Sequence, residues 1–228
     1  MAATTTELEQ DFRQRAIEAA GGISAEPIYR MVWDRIASEK LSGSVLDFGA
    51  GKGNLTRALF ASGRFSSVTG VDALARPESL PADVRWVQGD LNEELALESF
   101  DVVIATEVIE HLENPRAVFR QFARLLKPSG KLILTMPNQE SLRSYAALLI
   151  GGHFSSFLGA SYPAHITALL RMDLERLCAE TGFARPGFTY TDHGGIPKMP
   201  HVAWQRVLGR LARGRLFSDN LGMSTLRA

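Results

Sequence analysis

Short apolar runs alternate with segments of helical spacing along the first part of the chain. Runs rich in β-branched residues are typical of buried strands, and they cover 44–48, 67–71, 84–88, 100–105 and 131–136. Between them, apolar residues recur at the three- and four-residue spacing of one helix face, as at Leu55 and Leu59 and again from Val118 to Leu126. Asn114 and Pro115 supply the N-cap and first turn of that second helix.

Alternating strands and helices predict parallel strands joined by right-handed crossovers. The later part of the chain predicts a helix over 142–150, a helix over 172–181, and strands over 188–191 and 221–226. We therefore expect a doubly wound α/β fold with a mostly parallel seven-stranded sheet and an antiparallel C-terminal strand. In such folds ligands bind at the carboxyl ends of the strands.

The domain organisation follows from the same pattern. We predict one domain over 1–228, with an N-terminal extension over 1–27 and a substrate lid inserted over 138–170. Residues 197–217 combine arginines with apolar residues and predict a basic amphipathic helix.

Composition narrows the class of protein. The chain has 228 residues, 45% of them hydrophobic, with 25 basic residues balancing 25 acidic ones. This balance gives no general attraction to nucleic acid, so we expect no DNA partner and disfavour RNA. The single cysteine, Cys178, and an acidic N-terminus without the basic start of a signal peptide favour a protein of the cytoplasm.

A glycine-rich loop follows the first predicted strand, in the sequence VLDFGAGKGNLTRAL. Gly49, Gly51 and Gly53 let the backbone approach a ligand without steric conflict from Cβ atoms. A P-loop requires Ser or Thr directly after its lysine, but Gly53 follows Lys52. The third glycine also comes one residue too early for a nicotinamide fingerprint.

Acids at the ends of the next strands indicate a nucleoside. Asp72 ends the second strand, where a carboxylate accepts hydrogen bonds from both ribose hydroxyls. Asp90 follows the third strand and can accept from an adenine amine, with the backbone of Leu91 beside it. The alternative is that Asp47, Asp72 and Asp90 only cap turns and helices.

These segments resemble the motifs of class I methyltransferases, which use S-adenosylmethionine. VLDFGAGKG is similar to the first motif, VTGVDA to the second, and FDVVIATEVIEHLENP with RLLKPSGKLILTMPN to later ones. The resemblance covers about residues 28–192. It implies that the methionine part of the donor lies against Asp47 and the glycine loop, the ribose against Asp72, and the adenine against Asp90 and Leu91. Further donor contacts are expected from Ala50 and Thr106.

The segment TEVIEHLENP after the fourth strand is a candidate metal site. In a helical turn, Glu107, Glu110 and His111 would share one face, and His165 could supply a fourth ligand. A divalent ion there would orient an acceptor hydroxyl. Without an ion, His111 or His165 is the better general base.

This ExxEH pattern with a distant histidine resembles two groups of methyltransferases: the small-RNA 2′-O-methyltransferases and the O-methyltransferases of ubiquinone biosynthesis. The resemblance implies a divalent ion, and a site with histidine ligands admits Mn²⁺ or Fe²⁺ as well as Mg²⁺. The expected catalytic residues are His111, His165 and Glu107.

The acceptor is less determined than the donor. Residues 135–167 resemble methyltransferases found with bacterial surface-glycan assembly enzymes, which implies a sugar hydroxyl or a related small metabolite. A quinone-type ring is the first alternative, and a non-catalytic nucleoside-binding module the second. The basic segment 197–217 either rests on an anionic membrane or packs on its own domain with the arginines in solvent.

Overall fold

The computed structural model describes residues 5–228, without the side chains of residues 5–10 and Pro200. Seven strands form one sheet in the order β3-β2-β1-β4-β5-β9-β6. These are β1 (Gly43–Phe48), β2 (Phe65–Asp72), β3 (Arg85–Gln88), β4 (Phe100–Thr106), β5 (Leu126–Pro137), β6 (Gly187–Tyr190) and β9 (Asn220–Leu226). Strands β3, β2, β1, β4 and β5 pair in parallel, while β9 runs antiparallel to both β5 and β6. The predicted doubly wound sheet with an antiparallel C-terminal strand is confirmed.

The helices lie before, between and after these strands. They are α1 (Thr5–Ala20), α2 (Glu26–Ser38), α3 (Asn54–Ala61), α4 (Pro115–Leu125), α5 (Leu142–Gly151), α6 (Arg171–Glu180) and the short α7 (Trp204–Leu208). Helix α4 begins as its sequence predicts, because the Asn114 side chain accepts a hydrogen bond from the Ala117 N–H at 3.1 Å and Pro115 occupies the first turn. None of the helices within residues 5–228 has the length and apolar content needed to cross a bilayer.

Two hydrophobic cores cover the two faces of the sheet. On one face, Val32 and Ile36 of α2 and Leu55 and Leu59 of α3 pack on β1, β2 and β4. On the other face, side chains of α4 and α6 pack on the same sheet, with Phe119 fully buried among them. With helices on both faces, the strand ends are left as the surface where polar residues collect.

The prediction of a single basic amphipathic helix over 197–217 is wrong. Strands β7 (Gly195–Ile196) and β8 (Met199–Ala203) form a hairpin there, followed by α7 and two separate 3₁₀ turns. Gly209 and Gly214 have φ of 54° and 74°, which a continuing α-helix does not allow. The Gln205 side chain donates to the carbonyls of Ala212 and Phe217, at 2.8 and 3.0 Å, and holds the chain in this folded path.

The other two predicted segments flank the sheet. Residues 5–27 of the expected N-terminal extension form α1 and the start of α2, and residues 1–4 lie outside the described part of the chain. Residues 138–170 contain α5 and a 3₁₀ turn at Gly159–Ser161, between β5 and α6. The C-terminal end of this insertion, at His165 and Ile166, lines a cavity at the strand ends.

Truncating Phe119 tests how far the α4 core stabilises the fold. We expect Phe119→Ala to lower the free energy of unfolding by about 3–5 kcal/mol, because the ring is fully buried and leaves a cavity. Arg120→Ala, one residue along and exposed, should change it by less than about 0.5 kcal/mol. Chemical denaturation measures both, and equal losses would contradict this assignment of the core.

Candidate active site

The glycine loop lies between the ends of β1 and β2. Gly49, Gly51 and Gly53 all have positive φ, of 78°, 53° and 73°. A Cβ at Gly49 would lie 2.3 Å from the Val108 side chain, and one at Gly51 would lie 2.4 Å from the Gly22 carbonyl oxygen. The N–H groups of Gly49 and Ala50 both donate to the Val71 carbonyl, at 2.9 and 3.0 Å. Glycine is required here by backbone conformation and by close packing.

Asp47 joins the loop to helix α3. Its carboxylate is almost fully buried and accepts a 2.6 Å hydrogen bond from the Thr56 hydroxyl. Burial raises the pKa of Asp47 to about 7, assisted by the charge of Asp72 and opposed by hydrogen bonds from Thr56. Asp47 also lines the cavity. It therefore holds α3 against β1 while facing the predicted donor position.

Asp72, at the end of β2, organises the same loop. One carboxylate oxygen accepts from the Gly51 N–H at 2.7 Å and the other from the Leu74 N–H at 2.9 Å. Burial raises the pKa of Asp72, and these two N–H groups with that of Ala73 oppose the rise. Each oxygen retains a further lone pair, so the carboxylate can still accept from ribose hydroxyls.

Asp90 is held by a residue that the sequence did not single out. Arg13 of α1 contacts Asp90 at 2.7 Å, Glu93 at 3.1 Å and Glu113 at 2.9 Å. The second oxygen of Asp90 accepts from the Asn92 N–H at 2.9 Å. Arg13 thus fixes α1 to the side of the site where adenine is predicted to bind.

Helix α1 and the turn after it form one wall of the cavity. The cavity measures about 300 Å³, the lower end of the range for small-molecule sites. The Lys52 N–H donates to the Gly22 carbonyl at 3.0 Å, which joins that wall to the glycine loop. Among the described residues, the buried Thr106 hydroxyl in this cavity has no hydrogen-bond partner. Because buried polar groups are normally paired, Thr106 fits a ligand contact.

Glu110, His111 and His165 meet at the other end of the cavity. One potential ligand atom from each lies within 4.8 Å of the others. Both carboxylate oxygens of Glu110 are buried, with no hydrogen-bond partner in the described part of the chain. Burial raises the pKa of Glu110 well above its usual range, and the charge of Glu107 adds to the rise. A bound cation or a proton would satisfy this carboxylate.

Hydrogen bonds set the form of both histidines. His111 Nδ1 lies 2.9 Å from the Ala164 carbonyl oxygen, and His165 Nδ1 lies 2.6 Å from that of Ser156. Because a carbonyl only accepts, each Nδ1 carries its proton, and each Nε2 presents a lone pair. Burial lowers the pKa of His111 to about 4 and also lowers that of His165, so both rings are neutral near pH 7.

Glu107 does not share a helix face with Glu110 and His111, so that expectation is wrong. It follows β4 with a φ of 54°, and the 3₁₀ turn begins only at Ile109. Its carboxylate accepts from the Thr135 hydroxyl at 2.9 Å and from the Asn220 amide at 2.7 Å. Burial raises the pKa of Glu107 to about 7, against these two hydrogen bonds. Glu107 lines the cavity beside the three-residue cluster without joining it.

The predicted site residues therefore gather in one place. The cavity lining includes Asp47, Gly49, Ala50, Gly51, Asp72, Asp90, Leu91, Thr106, Glu107, Glu110, His111 and His165. Gly53 lies behind the loop against Leu80. The sequence did not indicate Arg13, Gly22, Thr135 or Asn220; only the Gly21–Gly22 pair gave a local signal, as a turn.

Acids at successive strand ends, a glycine loop and a neighbouring polar cluster define a nucleoside-binding α/β enzyme domain. A family model described as a methyltransferase domain matches residues 25–185. The chain belongs to this family. The predicted resemblance to S-adenosylmethionine-dependent methyltransferases of class I is thereby confirmed.

Proteins named ubiquinone biosynthesis O-methyltransferase are similar to the chain. A ubiquinone biosynthesis O-methyltransferase of Stutzerimonas stutzeri (strain A1501) is 32% identical over 120 residues, 48% of this chain and 50% of that relative. One from Xanthomonas oryzae pv. oryzae (strain PXO99A) is 34% identical over 149 residues, 56% of this chain and 60% of that relative. The chain therefore spans about half the length of the curated relatives it matches.

Solved structures show the same fold at lower identity. A SAM-dependent methyltransferase from Archaeoglobus fulgidus has a TM-score of 0.59 at 21% identity, over 98% of this chain and 100% of that one. The Burkholderia thailandensis 1,6-didemethyltoxoflavin-N1-methyltransferase, solved with S-adenosylhomocysteine, has a TM-score of 0.61 at 17% identity. The match covers 100% of this chain and 92% of that one. At 21% and 17% identity, this similarity shows a shared fold.

Replacing Arg13 tests the contact between α1 and Asp90. We expect Arg13→Gln to weaken binding of S-adenosylhomocysteine about two- to fivefold, because a partly exposed ion pair contributes about 1 kcal/mol or less. Isothermal titration calorimetry at low and high salt measures this, and the loss should shrink as salt screens the pairs. Arg15→Gln on the same helix, whose partner is Asp11, is the matched control. Equal affinities for the two variants would contradict the role of Arg13.

Proposed function

We propose that this methyltransferase domain transfers a methyl group from S-adenosylmethionine to a hydroxyl oxygen of a sugar or related small metabolite. The observation that carries the proposal is the buried Glu110 carboxylate, which lacks a partner among the described residues and faces two neutral imidazoles beside the donor cavity. Such a cluster suits the binding and deprotonation of a hydroxyl.

The donor side of the proposal uses the residues at the strand ends. Asp72 would accept from the ribose hydroxyls and Asp90 from the adenine amine, and the glycine loop would pass along the methionine part. Thr106 would receive a hydrogen-bond partner that the protein itself does not supply. The chain's work on this side is alignment of the sulfonium methyl with the acceptor oxygen.

Glu110, His111 and His165 fit a divalent cation. One buried carboxylate and two Nε2 lone pairs form a ligand set of mixed oxygen and nitrogen, which favours Mn²⁺ or Fe²⁺ over Mg²⁺. When bound, such an ion lowers the pKa of a coordinated hydroxyl and so supplies a better nucleophile. The carbonyls of Ala164 and Ser156 hold the two rings in the tautomer that this requires.

In the alternative without an ion, a histidine takes the proton. His111 and His165 are neutral and expose Nε2, so either can accept the proton of an acceptor hydroxyl as its oxygen attacks the methyl carbon. The charge balance is simple, because the sulfonium loses its positive charge as the imidazole gains one. Glu107, fixed by Thr135 and Asn220, would stabilise that imidazolium from beside the cluster.

The acceptor we favour carries two adjacent hydroxyls. A vicinal diol of a saccharide would offer two oxygens to a cation held by Glu110, His111 and His165, and one of these oxygens is the proposed methyl acceptor. The Phe157 and His165 rings pack with their centroids 5.5 Å apart, and the Tyr162 and Phe12 rings with theirs 5.7 Å apart. These aromatic side chains give a ring-shaped acceptor flat apolar surfaces at the edge of the site.

A catechol-type ring of a quinone precursor is the second candidate. It offers the same pair of adjacent hydroxyls on a flat ring. The observation that favours it is the similarity to proteins named ubiquinone biosynthesis O-methyltransferase, at 32–34% identity over about half of the chain. The two candidates share the proposed chemistry. They differ in the molecule that bears the two hydroxyls, a saccharide or an aromatic ring.

Methyl transfer from labelled S-adenosylmethionine tests the proposal directly. We expect label to appear in saccharides with vicinal hydroxyls, or in catechols if the second candidate holds, and not in their deoxy analogues. With metal assistance, excess chelator should lower turnover at least about a hundredfold, and added Mn²⁺ should restore it. Full activity in chelator would exclude the metal, and binding of the donor without turnover on any hydroxyl would contradict O-methylation.

Glu110→Gln tests the acceptor end of the cavity independently of the donor end. We expect it to abolish turnover and Mn²⁺ binding while leaving the affinity for S-adenosylhomocysteine within about twofold, because Glu110 is predicted to face the acceptor. Glu107→Ala should also stop turnover. Glu78→Gln, on an exposed residue, is the control. Calorimetry and the electron paramagnetic resonance of Mn²⁺ report binding; a Glu110→Gln protein that still binds Mn²⁺ would remove this residue from the site.

A further inference from the structure

A surface at residues 198–216 exposes apolar side chains among cations. Because Gly209 and Gly214 break the chain into short turns, the apolar residues of this segment do not all face the protein. Leu211 is 85% exposed and Val207 is 61% exposed. We call the following exposed residues the basic apolar surface: Lys198, Met199, Arg206, Val207, Leu208, Arg210, Leu211, Arg213 and Leu216.

The charge of this surface is of one sign. Residues 193–218 contain no aspartate or glutamate. Arg213 lies 4.0 Å from Asp192, an ion pair at the limit of contact. Within residues 11–228, Arg206 and Arg210 form no ion pair. A chain that is neutral as a whole therefore carries a local cluster of uncompensated cations.

The end of helix α5 adds a second exposed apolar group. Leu149 and Ile150 are 86% and 72% exposed. Helix α5 packs against the 3₁₀ turn Arg215–Phe217. The Asn138 side chain, which precedes α5, donates to the carbonyls of Arg215 and Ser218 at 2.7 and 2.8 Å. Residues 141–170 also lack any carboxylate. The two exposed groups thus belong to neighbouring segments.

We propose that the basic apolar surface, together with the exposed end of α5, binds the face of an anionic lipid bilayer. Exposed leucines beside unpaired arginines suit such a bilayer, since the apolar side chains enter the region below the headgroups while the guanidinium groups contact phosphates. A nucleic acid would match the cations and leave the leucines and isoleucine in water. Large exposed apolar groups of this kind mark interaction sites.

The insertion that carries α5 also leads into the cavity. It continues through Tyr162, which contacts Phe12 of α1, to His165 in the polar cluster. A bilayer bound at the end of α5 would therefore contact an insertion whose C-terminal end, at His165 and Ile166, lines the cavity. Binding of the bilayer does not depend on which acceptor is methylated, and its test does not use turnover.

Sedimentation with vesicles tests the proposal on the full chain. We expect the protein to sediment with vesicles of phosphatidylglycerol and phosphatidylcholine, and at least about tenfold more weakly with phosphatidylcholine alone. Arg206→Glu with Arg210→Glu should weaken binding to the anionic vesicles about tenfold or more. Leu149→Asn with Leu211→Asn removes the apolar contribution, which salt does not screen. Only a weak electrostatic binding should then remain, and added salt should abolish it.

Matched variants on other surfaces complete the test. Arg57→Glu on α3 with Arg64→Glu just before β2 makes the same change of charge at two other exposed arginines. Leu226→Asn replaces a leucine that is 44% exposed and paired with Lys131 in the sheet. Both should bind vesicles as the unaltered protein does, and all variants should retain the affinity for S-adenosylhomocysteine. Equal loss in the controls, no binding to anionic vesicles at low salt, or capture by an acidic protein or RNA but not by vesicles would overturn the proposal.

Discussion

The hydrogen bond from the Gly51 N–H to the Asp72 carboxylate joins the ends of β1 and β2, and the predicted donor side of the cavity depends on it. It can form only because the loop after β1 turns back with positive φ, which brings its N–H groups toward the neighbouring strand. Both loop N–H groups that precede Gly51 donate to the Val71 carbonyl at the same strand end. The parallel sheet thus fixes the position of Asp72, and Asp72 fixes the loop.

The proposed acceptor side differs in one carboxylate, since Glu110 is not satisfied by its neighbours. Glu110 is buried without a hydrogen-bond partner in the described structure, whereas Asp72 and Asp47 each accept from the protein. An unpaired buried carboxylate is unfavourable, and a protein retains one where a ligand or a proton transfer requires it. This contrast supports the proposal that Asp47 and Asp72 hold the donor in place and that Glu110 acts on the acceptor.

Much of this was predictable from the sequence because the signals are local. Apolar runs mark the central strands, Asn114 and Pro115 mark the start of α4, and acids after three successive strands must lie at one edge of a parallel sheet. Contacts between distant segments gave no such signal. Arg13 meets Asp90 across 77 residues, and Asn220 meets Glu107 across 113. The position of Glu107 was wrongly predicted because helical spacing was assumed where β4 is followed by a residue of positive φ.

The wrong prediction over 197–217 is also the most informative one. Arginines and leucines at helical spacing were expected either to rest on a membrane or to pack on the domain, and a continuous helix would have allowed the second arrangement. Gly209 and Gly214 prevent that helix, and Leu211 is left in solvent. Helix periodicity in a sequence describes how residues would be arranged if the backbone permitted it, and two glycines are enough to change which surface they form. The exposed leucines lie in the same segment as Arg206 and Arg210, and this combination is the physical basis for proposing that the surface binds a bilayer.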